Sequence, residues 1–350
     1  MAERTATPIP ARRAALVRSS VNVDSIFSVP AIVKPGQTIS SSGLEERLGG
    51  KGANCAIAIA QNKSPTVFLV GTCGSDARWI KDDLSGRGVG VQHLVVLEDE
   101  STGRAMIQVA EDGENSIIVF KGANYSRLPD LDNDPSETLR QVQASHLVLQ
   151  NEIPLATTES YLKAAHKDGI VTIFNPSPML SKSEATNFPW EQLSVLVLNH
   201  EEATALSQLL TLDGSRTPQI QDCASLSSVP WIIVTHGAQG VTAFVHDQAE
   251  NSTEGAPISR QQIQQSAFKP QRVSDTTGAG DTFLGYLVAE LMRHNGPIDE
   301  KSRLPTEASD IQKLLRKATC AAAIAVERPG AADSIPDGSE VEERLSSSAL

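Results

Sequence analysis

With 350 residues, 40% of them hydrophobic and only 4% aromatic, the chain can bury a large core, as one α/β domain or as two smaller ones. A formal net charge of -12 argues against nucleic acid or an acidic membrane surface as partner, so any anionic ligand must be met by local positive potential from helix ends, a few Lys or Arg, or a metal ion. No apolar run approaches the roughly 20 residues of a membrane span, and Cys55, Cys73, Cys223 and Cys320 form no C-x-x-C pair, which predicts buried thiols in a reducing compartment, the cytoplasm or, in a eukaryote, also the nucleus.

Met1 to Arg13 mixes Arg4, Arg12 and Arg13 with Pro8, Pro10 and Glu3 without a clear amphipathic helix, so a disordered tail is expected rather than a transit peptide. Beyond it, short β-rich runs at Val67 to Val70, Leu147 to Leu149, Val171 to Phe174, Val195 to Leu198 and Ile232 to Val234 alternate with helical stretches. Among the latter are Thr157 to Lys167, Glu201 to Leu210 and Ile311 to Val326. Such alternation predicts a mostly parallel sheet covered by helices on both faces, a three-layer α/β/α sandwich. Ala105 to Ala110 and Ser116 to Phe120 break the pattern. They are strand runs joined by a segment whose Asp112-Gly113 reads as a hairpin turn, and with Ser25 to Ser42 they are expected to form a small β-sheet lid. The polar stretches Gln248 to Ala267 and Asn295 to Ser309 read as surface-loop insertions.

Two glycine-bearing segments carry the chemistry. Gly49-Gly50-Lys51-Gly52-Ala53-Asn54 runs into Cys55 to Ala60, a helix whose small side chains let another backbone pack close. No G-x-x-x-x-G-K-[ST] occurs in the chain and neither segment fits G-x-G-x-x-G, so Walker and dinucleotide-binding motifs lose their support. The second segment, Ser274-Asp275-Thr276-Thr277-Gly278-Ala279-Gly280-Asp281, empties into a helix whose buried stripe is Phe283, Leu284, Leu287, Val288, Leu291 and Met292. Uncovered N–H groups and the positive end of the dipole suit an anion such as phosphate there. Asp281 would repel a resting phosphate, yet fits a general base that takes a proton from an attacking group.

Each of these residues also has a plainer meaning. Asp281 is equally a first-turn acid favoured by the dipole. Asn199 and Glu202 have capping-box spacing, Asn22 and Asp24 read as polar residues at a strand end, Lys51 as a solvated lysine, Glu152 as a strand-end acid and His236 as a solvated loop histidine.

In this order the two segments resemble the two signatures of the PfkB (ribokinase-like) sugar kinases. The resemblance runs from about Leu16 to Pro336. It is carried further by Ser20-Val21-Asn22-Val23-Asp24, Glu100-Ser101-Thr102-Gly103, Gly122-Ala123-Asn124, Leu149-Gln150-Asn151-Glu152, Asn175-Pro176-Ser177-Pro178 and Asn199-His200-Glu201-Glu202. Val234 to Gly240 and Ala321 to Val326, with Gly330 and Ser334, complete the series.

That resemblance implies a kinase domain over 14–345, with lid segments at about 25–42 and 101–122 covering the sugar and joining a homodimer. D-ribose is the implied substrate, with ATP, Mg2+ and K+ as cofactors. Asn22, Asp24, Gly50, Lys51, Asn54 and Glu152 are implied around the sugar hydroxyls. Asp281 is the implied base, with N–H groups of Gly278, Ala279 and Gly280 on the transferring phosphoryl. Asn199, Thr235, His236, Gly237, Gly240, Gly280 and Thr319 are implied at the nucleotide, and Glu202 at Mg2+ through water. Asp275, Thr277, Ala325, Arg328, Gly330 and Ser334 match a monovalent-cation loop acting mostly through main-chain oxygens. Other acceptors used in the family, such as fructose, 2-keto-3-deoxygluconate or a nucleoside, and a non-catalytic binding role, are the competing expectations. The chain departs from the family pattern at Arg18-Ser19, where an apolar residue and Gly are usual, and at Leu198, where Pro is common.

Overall fold

The computed structural model describes residues 14–63, 65–211, 217–247, 259–294 and 304–347; the segment Met1 to Arg13 and most of the two polar insertions lie outside them. In chain order the elements are β1 (Ala14–Arg18), β2 (Asn22–Val29), β3 (Gly43–Gly49), α1 (Lys51–Gln61), β4 (Thr66–Gly74), α2 (Trp79–Gly86), β5 (Leu94–Leu97), β6 (Gly103–Ala110) and β7 (Asn115–Phe120). There follow α3 (Pro129–Asp132), α4 (Pro135–Gln141), β8 (Ala144–Gln150), α5 (Leu155–Lys167), β9 (Val171–Asn175), α6 (Lys182–Asn187), β10 (Val195–Asn199) and α7 (His200–Leu210). The chain ends with β11 (Trp231–Thr235), β12 (Val241–His246), β13 (Arg260–Gln265), α8 (Ala279–His294), α9 (Ala308–Ala325) and α10 (Gly338–Ser347).

Among the described residues the main sheet is nine-stranded, in the order β13-β12-β11-β10-β9-β8-β1-β4-β5. It is parallel from β11 to β5, and β12 and β13 add antiparallel strands at one edge. Strand alternation sends Ala15 and Val17 of β1, with Val195 and Val197 of β10, into a core under α1, α8 and α9. Leu16, Leu196 and Leu198 enter a second core on the opposite face, with Leu162, Phe188, Trp190 and Leu206. The expected three layers are therefore present.

A second sheet, in the order β3-β2-β6-β7, forms the small β-layer. Its strands differ from the segment read from sequence. Pairing begins at Asn22, the partner of β2 is Gly43–Gly49, and most of 30–42 is irregular. Arg260–Gln265, read as part of a loop insertion, pairs with β12 as an edge strand with Ile263 its buried residue. Around β1 the strand order reverses: β1 lies between β8 and β4, and the segments leaving β1 and β8 flank one crevice at the carboxyl ends of the strands, where α/β sheets bind ligands.

Candidate active site

On one side of this crevice the chain leaves β1 at Arg18, turns through Ser19-Ser20-Val21, and enters β2 with Asn22 and Asp24 buried at its root. Gly50 (φ 91°) rides directly over that turn, because a Cβ there would lie 2.8 Å from the Asn22 backbone nitrogen. Glu152, just past β8, accepts from the Lys51 N–H (3.1 Å) and from the Ser20 hydroxyl, which ties the β1 exit, the glycine loop and the β8 exit together. Asn22 Oδ1 accepts from Asn124 Nδ2 at 2.7 Å. Burial, reinforced by Glu152 and Asp281, pushes the Asp24 carboxyl up to about 7.

Asp281 sits at the centre. It is buried in the first turn of α8 and accepts from Asn54 Nδ2 at 2.9 Å, so helices α1 and α8, packed face to face, hold the pair across the floor of the crevice. Asn54 Oδ1 is buried without a partner among the described residues, which leaves it open to a water or a ligand. Burial raises the Asp281 carboxyl above its ordinary value. The Lys51 ammonium and the Asn54 bond pull against that rise, and Glu152 and Glu202 add to it. Burial alone would pull the Lys51 ammonium down, but Asp281, Glu152 and Glu202 together hold it above its ordinary value.

Gly278 needs φ of +76°, and a Cβ there would lie 2.8 Å from Ala331 Cα, so the loop ahead of α8 is seated on the loop that follows α9. The N–H groups of Gly278 and Gly280 have no hydrogen-bond partner among the described residues, whereas the Ala279 N–H makes a 3.3 Å turn bond to Thr276 O. Two cavities open here. One, of about 230 Å³, is lined by Lys51, Asn175, Asn199, Glu202, Gly278 and Asp281. The other, of about 410 Å³, is lined by Asn199, Thr235, Gly237, Gly240, Gly280 and Thr319, with Phe268, Val273 and Val326 as apolar wall. Asn199, Thr235, Thr276 and Gly280 border both, so the two are continuous.

Not every nucleotide candidate joins them. His236 turns to a separate hollow, hydrogen-bonding Thr242 Oγ1 (3.0 Å) and lying against His200, whose ring centre is 5.7 Å away. Thr319 is in the nucleotide-sized cavity, but its hydroxyl donates to Leu315 O (2.6 Å), so the helix already holds its proton. Asn199 and Glu202 do form a complete capping box on α7. The Glu202 oxygen used in the cap also takes the Asn175 amide (3.3 Å). Among the described residues no cluster of three or more His, Cys, Asp or Glu could hold a metal ion by itself.

Beneath the loop at Gly278, the Asp275 carboxylate accepts from the N–H groups of Thr277 (2.9 Å) and Gly330 (2.8 Å). Its carboxyl lies below its ordinary value because these bonds, with Arg47, outweigh burial. Arg328 is paired with Glu340 of α10, and Ser334 Oγ donates to Ala331 O (2.9 Å). The main-chain oxygens of Asp275, Thr277 and Gly330 accept no hydrogen bond among the described residues, while that of Ala325 takes the Arg328 N–H (3.2 Å). This is a donor set suited to a weakly hydrated monovalent cation.

The departures at Arg18 and Leu198 are absorbed on the far face. By strand parity Arg18 points away from the crevice, where it is buried in a bidentate pair with Asp132 (3.1 and 3.2 Å) and lies 5.8 Å from the Tyr161 ring centre. Leu198 fills the second core. Ser19 Oγ bonds Gln150 Oε1 (2.8 Å). Asn175 and Thr276, which also line the cavities, stand within the segments that carry the resemblance but have no role assigned from sequence.

The chain is similar to known proteins over nearly its whole length. The family model described as pfkB family carbohydrate kinase matches residues 14–338. A ribokinase of Haemophilus influenzae is 31% identical over 337 residues, covering 95% of this chain and 99% of its own. Among solved structures, the ribokinase of Cryptococcus neoformans in complex with ADP is 38% identical with a TM-score of 0.74, covering 95% of this chain and 99% of that one. The Arabidopsis thaliana ribokinase complexed with ribose and ATP is 29% identical with a TM-score of 0.76, over 95% and 98% of the two chains.

Proposed function

This chain belongs to the pfkB family of carbohydrate kinases, and from that premise we propose that it transfers the γ-phosphoryl group of ATP to the primary hydroxyl of D-ribose, giving D-ribose 5-phosphate. One observation carries this function: Asp281 is buried between the polar fence of Asn22, Asp24, Lys51, Asn54 and Glu152 and the cavity that runs on to Thr235 and Gly240. A hydroxyl resting on Asp281 would have its proton taken as it attacks, and the raised carboxyl suits proton transfer near neutral pH better than an ordinary aspartate does. The N–H groups of Gly278 and Gly280, with the N-terminus of α8, would face the charge that builds on the transferring group. Lys51, held charged, would orient the acceptor and offset the carboxylates around it.

Mg2+ would enter with ATP, touched through water by Glu202, and would neutralise phosphate charge. K+ would be held by main-chain oxygens of Asp275, Thr277, Ala325, Gly330 and Ser334, and of Arg328, whose side chain is engaged by Glu340. The exposed apolar strand β7 favours a homodimer through the lid. The relatives named ribokinase, matched over nearly their whole length, support ribose as the acceptor, as does the scarcity of aromatic surface for a nucleobase near Asn22 and Asp24.

ADP release measured with ribose, fructose, adenosine and 2-keto-3-deoxygluconate tests it. Ribose should exceed fructose and adenosine in kcat/KM by at least about tenfold, because a site built for hydroxyls leaves polar groups unpaired with the wrong acceptor. More efficient turnover of adenosine or fructose would leave a family kinase with a different substrate.

A further inference from the structure

We infer that Asn124, which none of the roles above includes, is a positioning residue that fixes the polarity of the Asn22 amide and joins the roots of the lid to the sugar pocket. The inference rests on Asn22 being a sugar contact. Asn124 is buried, and its carbonyl oxygen accepts from the Val21 N–H (2.8 Å) while its amide donates to Val21 O (3.0 Å) and to Asn22 Oδ1 (2.7 Å). The clamp on Val21 decides which end of Asn124 is which. Turning the amide over would set N–H against N–H and oxygen against oxygen, two mismatches in a buried place. With that end fixed, the remaining N–H of Asn124 claims the oxygen of Asn22. The Asn22 NH2 is thereby the free end, and it donates to nothing among the described residues. Asn22 therefore turns its donors toward whatever lies in the pocket, with its oxygen already engaged by Asn124.

The setting of this bond links it to the lid. Asn22 opens β2, Gly103 opens β6, and Asn124 lies in the turn Gly122–Tyr125 that follows β7. A Cβ on Gly103 would lie 2.1 Å from Asn124 Nδ2 and 2.4 Å from Asn22 Oδ1, so only glycine at the root of β6 leaves room for the amide pair. The turn itself is anchored below, through Thr72 Oγ1 to Ala123 O (2.5 Å), to β4 of the main sheet. Three lid strands thus converge on one amide–amide hydrogen bond. A lid held in another position would alter what Asn22 offers the sugar.

Asn124→Asp tests this, since the nearly isosteric carboxylate still accepts from Val21 but donates to neither Val21 nor Asn22. Sugar KM should rise about tenfold or more, the range expected when a buried polar partner is lost, with ATP KM changed by less than about twofold. In an Asn22→Ala background the same substitution should change sugar kcat/KM by less than about twofold. Equal effects in the two backgrounds, or an unchanged sugar KM in folded Asn124→Asp, would overturn the proposal. Should Asn124→Asp fail to fold, Asn124→Ala carries the same expectations. A wild-type enzyme active on another acceptor but not on ribose removes the ribose assignment alone, and the cycle is then run with that acceptor.

Discussion

Asp281 and Asp24 lie within one crevice but carry different demands. At Asp281 the buried carboxylate both begins a helix and faces the cavities, so capping and catalysis must be separated by substitution. Asp281→Asn keeps the hydrogen-bonding shape and the Asn54 contact while removing the base, and kcat should fall by a factor on the order of 10² to 10⁴ with the melting temperature preserved. A near-normal rate in the folded variant would return Asp281 to a capping role. Asp24 has its carboxyl raised by burial from 3.8 to about 7. Between those values the folded chain holds a proton that the unfolded chain has lost, so this group's contribution to stability is complete below 3.8 and declines as pH rises to about 7. Thermal melts of the ligand-free protein should therefore show the wild type losing stability relative to Asp24→Asn over that interval. A difference independent of pH would show that Asp24 titrates normally.

Elements succeed or fail to announce themselves according to where their partners lie. The helix after Asp281 and the parallel strands β4 and β8 to β11 are legible because their apolar stripe or run is local and strong, whereas β1 and β5 carry no strand reading in the sequence. β3 was missed because Glu45, Glu46 and Arg47 leave only Leu44 and Leu48 as apolar signal on an exposed edge, and β13 because Ile263 is alone among glutamines; pairing with β2 and β12, not propensity, makes them strands. Asn124 has no local signal of its role, since its partners stand 103 and 102 residues away in sequence. His236, by contrast, shares a turn with the nucleotide candidates but faces the opposite side of it. The pair of loops at Asp275 to Gly278 and Gly330 to Ser334 is likewise a tertiary construction, cross-tied through the Asp275 carboxylate. If a cation stiffens that tie, potassium should raise kcat well above the rate in tetramethylammonium at equal ionic strength. Equal rates in the two salts would remove the cation from this fold's chemistry.

At the scale of the whole molecule, one run of consecutive exposed apolar side chains stands out among the described residues. In β7, Ile117, Ile118, Val119 and Phe120 are 51%, 62%, 56% and 48% exposed, and an edge strand of this kind invites pairing with another chain. Sedimentation velocity should find a dimer in the wild type and a monomer in Ile118→Glu; a monomeric wild type would leave that strand without its expected cover. The four cysteines take the opposite course. All are buried, Cys55 and Cys320 in the core beneath α1 and α9, Cys223 in the core on the other face and Cys73 in β4, and burial holds each thiol above its ordinary value. An alkylating reagent can meet a thiolate only after the fold has breathed open, so the chain carries its own chemical clocks, one set in each layer. Cys55, one residue from Asn54, times the opening of the crevice floor, and a bound sugar or nucleotide would slow that clock before the others.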